Sequence, residues 1–151
     1  MMAKLQSQNF CIQNVDNSSS LFLGYGVTGG NEPENGWASA LRGIDMEDQT
    51  PAECKAKFKD FDTENRFCMR AKKSKDSSCR SDTGGPLMKM QRMNEDRFAS
   101  VFMIKTTLCG VLPISVCDRT DVNTEEVIEY FSHVAPKFDW IKKVAGKQTG
   151  I

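Results

Sequence analysis

Asp76-Ser77-Ser78-Cys79-Arg80-Ser81-Asp82-Thr83-Gly84-Gly85-Pro86-Leu87 is the stretch on which the reading of this chain turns. It lies in a longer loop, residues 74–85, rich in Ser, Asp and Gly, which favour turns over regular ladders. Pro86 to Met90 then reads as a strand, and Arg97 to Thr107 (RFASVFMIKTT) as a second, strongly apolar one. Upstream, Asn65 to Met69 is a short strand. Thr50 to Phe58 is a short helix, capped by Thr50 and with Pro51 suited to its first turn. In Ala38 to Met46, Ile44 and Met46 alternate as in a half-buried strand. Leu21 to Val27 (LFLGYGV) is a strand running into glycines, and residues 28–36 form a turn-rich loop. Asn14 to Ser20 reads as a polar loop containing Asn17-Ser18-Ser19, a glycosylation acceptor pattern. Downstream, Leu108 to Asn123 is irregular. Thr124 to Val144 has helical spacing, with Phe138, Ile141 and Val144 on one face and Trp140 beside them. Short strands, many turns and one terminal helix describe an all-β domain with a C-terminal α-helix.

Composition narrows the function classes. A chain of 151 residues is one domain by default, and at that size about 68–70% of the unfolded surface is buried, enough for a core. Twenty basic residues balance twenty acidic ones, which gives no support to nucleic acid or an anionic membrane as partner. The cluster Arg70, Lys72, Lys73 and Lys75 reads as a solvated loop. Six cysteines, an even number, point to disulfides and an oxidising compartment. No C-x-x-C pair occurs, so neither a zinc site nor a thioredoxin-type site is expected, and no metal or cofactor. The opening MMAKLQSQNF has no long apolar segment of the kind a signal peptide carries, and no stretch approaches the roughly 18 apolar residues of a membrane span. Secreted-type cysteines without an export signal are reconciled if an N-terminal portion precedes this sequence.

The loop 76–87 resembles the nucleophile loop of the chymotrypsin/trypsin-like serine proteases, written D-S-C-x-G-D-S-G-G-P-L. A cysteine four residues before Thr83 and Asp82 immediately before it make the match specific. Other segments resemble the family in the same order. Leu23-Gly24-Tyr25-Gly26 is similar to its G-W-G strand, and Leu41, Ile44 and Met46, followed by Cys54, to the strand leading into its intermediate-helix cysteine. Phe67-Cys68 is similar to its F-C-A segment, and Phe131 to Ile141 (FSHVAPKFDWI) to its closing segment and terminal helix. Met1 to Leu5 and Phe10-Cys11 resemble its A-L-L-K-L and I-C-L-P segments. The resemblance implies the second Greek-key β-barrel of a two-barrel fold plus the C-terminal helix. Residues 1–20 would be the crossing from the first barrel, 21–131 the second barrel, and 132–146 the closing segment and helix. The family's catalytic His and Asp would lie upstream of Met1.

The resemblance also assigns roles. Thr83 occupies the nucleophile position, where a serine hydroxyl normally attacks with a histidine as its base. The extra methyl of Thr stiffens the rotamer and crowds the attack path. The oxyanion hole would use the backbone N–H groups of Thr83 and Ser81, the latter standing where the family has Gly. Asp82 matches the acid that pairs with the new N-terminus after zymogen cleavage and, left alone, is expected as a solvated turn residue. Ser77 falls at the floor of the specificity pocket, as in chymotrypsin rather than trypsin, and the family's S-W-G strand is not recognisable in Met103 to Thr107. His133, the single histidine, is expected in an ordinary polar or capping role. By resemblance Cys54 pairs with Cys68, and Cys79 with either Cys109 or Cys117. Cys11 resembles the cysteine that bridges to the propeptide or first barrel, so its partner is expected outside this chain. Three functions compete: a fragment of a secreted endopeptidase, a non-catalytic homologue that binds a protein or peptide partner, and a truncated product without independent function. The losses at Thr83 and Ser81, and of a base, favour the second.

Overall fold

A computed structural model of the chain describes residues 11, 18–26, 40–73, 77–79, 82–93, 103–119 and 127–149. Six antiparallel strands close into a barrel: β1 (Ser18–Gly24), β2 (Arg42–Asp48), β3 (Arg66–Ala71), β4 (Pro86–Met93), β5 (Met103–Val111) and β6 (Ile128–His133), in the order β1-β2-β3-β6-β5-β4. Among the described residues it is accompanied by the helices α1 (Pro51–Lys57) and α2 (Phe138–Thr149), the second entered through a 3-10 turn at Ala135–Lys137. The expected all-β barrel with a C-terminal helix is the architecture found.

Alternation along the strands fills the barrel. Phe22 from β1, Met46 from β2, Phe67 and Met69 from β3, Leu87 from β4 and Phe131 from β6 are all buried in one cluster. Phe131 lies at its centre, with ring centroids 5.9 Å from Phe22 and 5.6 Å from Phe67. Such offset and tilted contacts are the arrangements aromatic quadrupoles favour. The outer wall of β3 and β6 carries a second cluster, in which Cys54, Cys68 and Ile128 pack under Phe58, Phe61 and Tyr130. This cluster seats α1, whose Thr50 hydroxyl accepts from Glu53 N–H at 3.1 Å, with Pro51 opening the helix. Arg119 lies over the rings of Phe58 and Tyr130, at 5.1 and 5.3 Å from their centroids.

Three bridges close: Cys11–Cys109, Cys54–Cys68 and Cys79–Cys117. The pairing of Cys54 with Cys68 is as expected, and the open choice at Cys79 falls to Cys117. The expectation for Cys11 is corrected, because its partner is Cys109, near the end of β5, and not a cysteine outside the chain.

Several boundaries also differ from the sequence reading. Ser18 to Ser20 are not loop but the first residues of β1, with Ser20 buried inside the barrel; residues 14–17 lie outside the described set. β5 runs on through Cys109 to Val111, where irregular chain was expected, because Pro86↔Val111 and Leu87↔Gly110 continue its ladder with β4. Residues 128–133 form a strand and not a helix, since their backbone groups are taken up by β3, from Arg70↔Ile128 to Arg66↔Ser132. The helix begins only at Phe138, where Ile141 is half-buried and Phe138, Trp140 and Val144 are exposed. Among the described residues β5 and β6 pair at two positions, Gly110↔His133 and Val111↔Ser132.

The bridge between Cys54 and Cys68 spans 14 residues of sequence. For a loop of that length the unfolded chain loses conformational freedom worth about 3 kcal/mol. The double variant Cys54→Ala/Cys68→Ala is therefore expected to lower unfolding free energy by about that amount, read from urea denaturation of the otherwise oxidised protein. An unchanged midpoint would show that the outer cluster holds α1 without the bond.

Candidate functional site

The turn that presents Thr83 is built from backbone contacts. Asp82 N–H donates to Cys79 C=O at 3.0 Å and Gly85 N–H to Asp82 C=O at 2.9 Å, so residues 82–85 form a β-turn. Gly84 sits at its third position with φ of 88°, the left-handed value a type II turn requires there. Two further bonds fix the turn to the end of β5: Gly84 N–H to Leu112 C=O at 2.7 Å and Leu112 N–H to Gly85 C=O at 3.0 Å. Thr83 is at the exposed second position.

Asp82 corrects the expectation of a solvated turn residue, being only 8% exposed. Its Oδ1 accepts from Gly26 N–H and its Oδ2 from Cys79 N–H, both at 2.8 Å. Two charge-assisted bonds replace the lost water, which makes burial of the carboxylate tolerable. Space for it is made by missing side chains: a Cβ on Gly24 or on Gly26 would overlap the carboxylate group. The Leu23-Gly24-Tyr25-Gly26 segment and the Asp82 loop are thus two halves of one fitting. The end of β1 and the Thr83 turn meet at one mouth of the barrel, with exposed apolar side chains around them. Tyr25 is 58% exposed, Leu41 50% and Val111 36%.

Beneath this mouth lies a second buried acid that the sequence reading did not single out. Glu129, on β6, is fully buried and accepts from both the hydroxyl and the N–H of Ser78, the latter at 3.3 Å. The Ser78 hydroxyl in turn accepts from Val116 N–H at 3.0 Å. Burial holds the Glu129 carboxyl above its ordinary range, opposed by the Ser78 bonds and the nearby Arg119. An acid in the apolar run from Val127 to Phe131 was the signal that could have found it. Ser77, the expected pocket-floor residue, is half-buried next to Ser78. Ser81 lies outside the described residues. The structure therefore brings together Thr83, Asp82, Cys79 and the Gly24–Gly26 segment, and sets Ser77 on the adjoining Ser78–Glu129 side.

His133 is 5% exposed and lies against Phe67, with centroids 4.6 Å apart. Its Nδ1 has no hydrogen-bond partner among the described residues. The ring borders a small cleft with Gln49, Pro51, Cys54 and Phe61, at the foot of α1; no residue of the Thr83 turn lines that cleft. Burial without a counter-charge drives the imidazole pKa down to about 4, so the ring is neutral at pH 7.

Fold and sequence carry the same assignment. A model of the trypsin family matches residues 5–141, and the chain belongs to that family as a trypsin-like serine protease homologue. No curated protein matches the chain. The family and the three disulfides point to an oxidising, extracellular setting. Among the described residues no helix is long and apolar enough to cross a membrane, and no group of His, Cys, Asp and Glu is arranged to hold a metal ion.

Two measurements probe this geometry. Gly26→Ala forces a methyl into the Asp82 carboxylate, and is expected to destabilise the fold by about 1–3 kcal/mol, the usual cost of overpacking. Calorimetric melting reads it, and a neutral result would mean the carboxylate has room to turn aside. The second concerns pH. The folded pKa of His133 lies below the unfolded value of 6.5, so the native state binds fewer protons than the unfolded state as pH falls. Its contribution is present above about 6.5 and is lost as pH drops toward 4, by at most about 3 kcal/mol. Asp48 and Glu129, raised by burial, act in the opposite sense, so the readout is a difference. His133→Phe is expected to retain more of its pH 7 stability at pH 4.5 than the parent does, measured by urea midpoints at both pH values.

Proposed function

We propose that this chain is a non-catalytic trypsin-like homologue that binds a protein or peptide partner at the barrel mouth around Thr83. The observation that carries the proposal is the pairing of an intact, rigidly held turn with chemistry unsuited to attack. Thr83 takes the nucleophile position with a β-branched hydroxyl, whose extra methyl and restricted rotamer oppose a near-attack geometry. An unassisted hydroxyl is a weak nucleophile. The one histidine of the sequence is neutral, buried against Phe67, and borders a different cleft. Ser81 in place of a glycine further weakens an oxyanion hole made with the Thr83 N–H. What remains is a binding surface: Tyr25, Leu41 and Val111 form an apolar rim around an ordered backbone turn, the kind of exposed patch that marks interaction sites. Secretion follows from the disulfides and family setting, and no nucleic acid, membrane or cofactor is part of this reading.

The test is covalent labelling with a fluorophosphonate, followed by intact mass. This 151-residue chain is expected to show no adduct on Thr83, and Thr83→Ser is expected to remain unlabelled as well, because His133, its single histidine, is buried against Phe67 at a different cleft. Labelling of the parent at Thr83 would overturn the proposal in favour of an endopeptidase. Labelling of the serine variant alone would show that the methyl is the single block.

A further inference from the structure

The interior of the barrel carries a charge pair that the site at its mouth does not use. Lys89, on β4, is 1% exposed, and its ammonium lies 3.6 Å from Asp48 Oδ2 on β2. Because β1 alone stands between these strands in the sheet order, the pair spans β1 on the inner face of the barrel. Lys89 is directly opposite Ser20 on β1 and Thr107 on β5, both buried. Directly opposed residues in an antiparallel pair have Cβ atoms roughly 4.5–5.5 Å apart, so the Thr107 hydroxyl stands within reach of the same polar layer. Two sealed oxygens in this layer, Asp48 Oδ1 and Thr107 Oγ1, have no hydrogen-bond partner among the described residues. A buried polar oxygen left without a partner is costly, and natural interiors satisfy such groups.

We propose that the barrel holds one internal water molecule beside Lys89, donating to Asp48 Oδ1 and hydrogen-bonded to Thr107 Oγ1. The charges define the ligand class. Lys89 and Asp48 already offset each other's charge at 3.6 Å, so the layer calls for neither a further cation nor a further anion. A small neutral group that both donates and accepts is left, and the layer supplies the two or more polar partners an internal water needs. Burial of Asp48, which pushes its carboxyl up despite Lys89, fits a carboxylate short of donors.

A high-resolution crystal structure of the whole chain tests the site first. It is expected to show an ordered water at about 2.7–3.2 Å from both oxygens; a dry layer, or a direct bond from Thr107 to Asp48, would overturn the proposal. Thr107→Val gives a second readout whose sign decides. If the hydroxyl is merely stranded, replacing it by an isosteric methyl raises the urea midpoint, which would also overturn the site. If it holds a water, the variant strands that water or expels it from Asp48, so the midpoint falls and Thr107→Ser restores it.

Discussion

The Asp82 carboxylate sits where little solvent reaches it, and the N–H groups of Gly26 and Cys79 take the place of water. Much else follows from that exchange. Gly26 is drawn onto the loop, so the last residues of β1 are held at the barrel mouth. Cys79 is fixed beside the bridge to Cys117, which ties the loop to the segment after β5. With both ends settled, the turn at 82–85 has little freedom left, and Gly84 absorbs the positive φ that remains. Ser78 and Glu129 repeat the device one layer lower, with a second buried acid meeting the same loop. The described residues of this loop, poor in apolar side chains, are thus held by carboxylates taking backbone N–H groups, by the backbone bonds of the turn and by the bridge to Cys117.

A fold that keeps this scaffold while carrying Thr83 separates two things that an active hydrolase needs together. Positioning comes from the backbone and from the buried acids Asp82 and Glu129, which hold loop N–H groups. Reactivity comes from a hydroxyl and a base. Under the proposed reading, selection for a bound partner would preserve the first without the second, because exposed apolar area is set by residues such as Tyr25, Leu41 and Val111, not by proton transfer.

Local chemistry made part of this legible in the sequence. Thr50 and Pro51 announce α1, and Phe67-Cys68 announces β3, because caps, prolines and β-favouring residues act within a few positions. β6 was hidden for the converse reason. Val127, Ile128, Phe131 and Val134 recur at intervals a helix would also give, and only the unpaired edge of β3 decides for a strand. At the site, Thr83, Asp82 and the two glycines near Tyr25 stood out, but not the burial of Asp82, which depends on segments 56 residues apart in sequence meeting. Glu129 and the partner of Cys11 were equally beyond local reading, since each is defined by a residue far along the chain.

Closure of the barrel at β5 and β6 has a mechanical side. The other strand pairs described run for three to eight rungs, whereas this one holds by two. A cylinder joined so unevenly opens first at its shortest seam, and local opening of a sheet follows its weakest ladder. Cys109 stands next to Gly110 at that seam, and the bond to Cys11 ties the region to a distant part of the chain. Val134 N–H adds one more clasp there, on the Cys109 carbonyl at 3.1 Å. The zipper of this barrel therefore has its slider at Gly110, which packs against Phe67 and Phe131, and one covalent bond, itself part of the cluster around Phe131, holds the seam to the core.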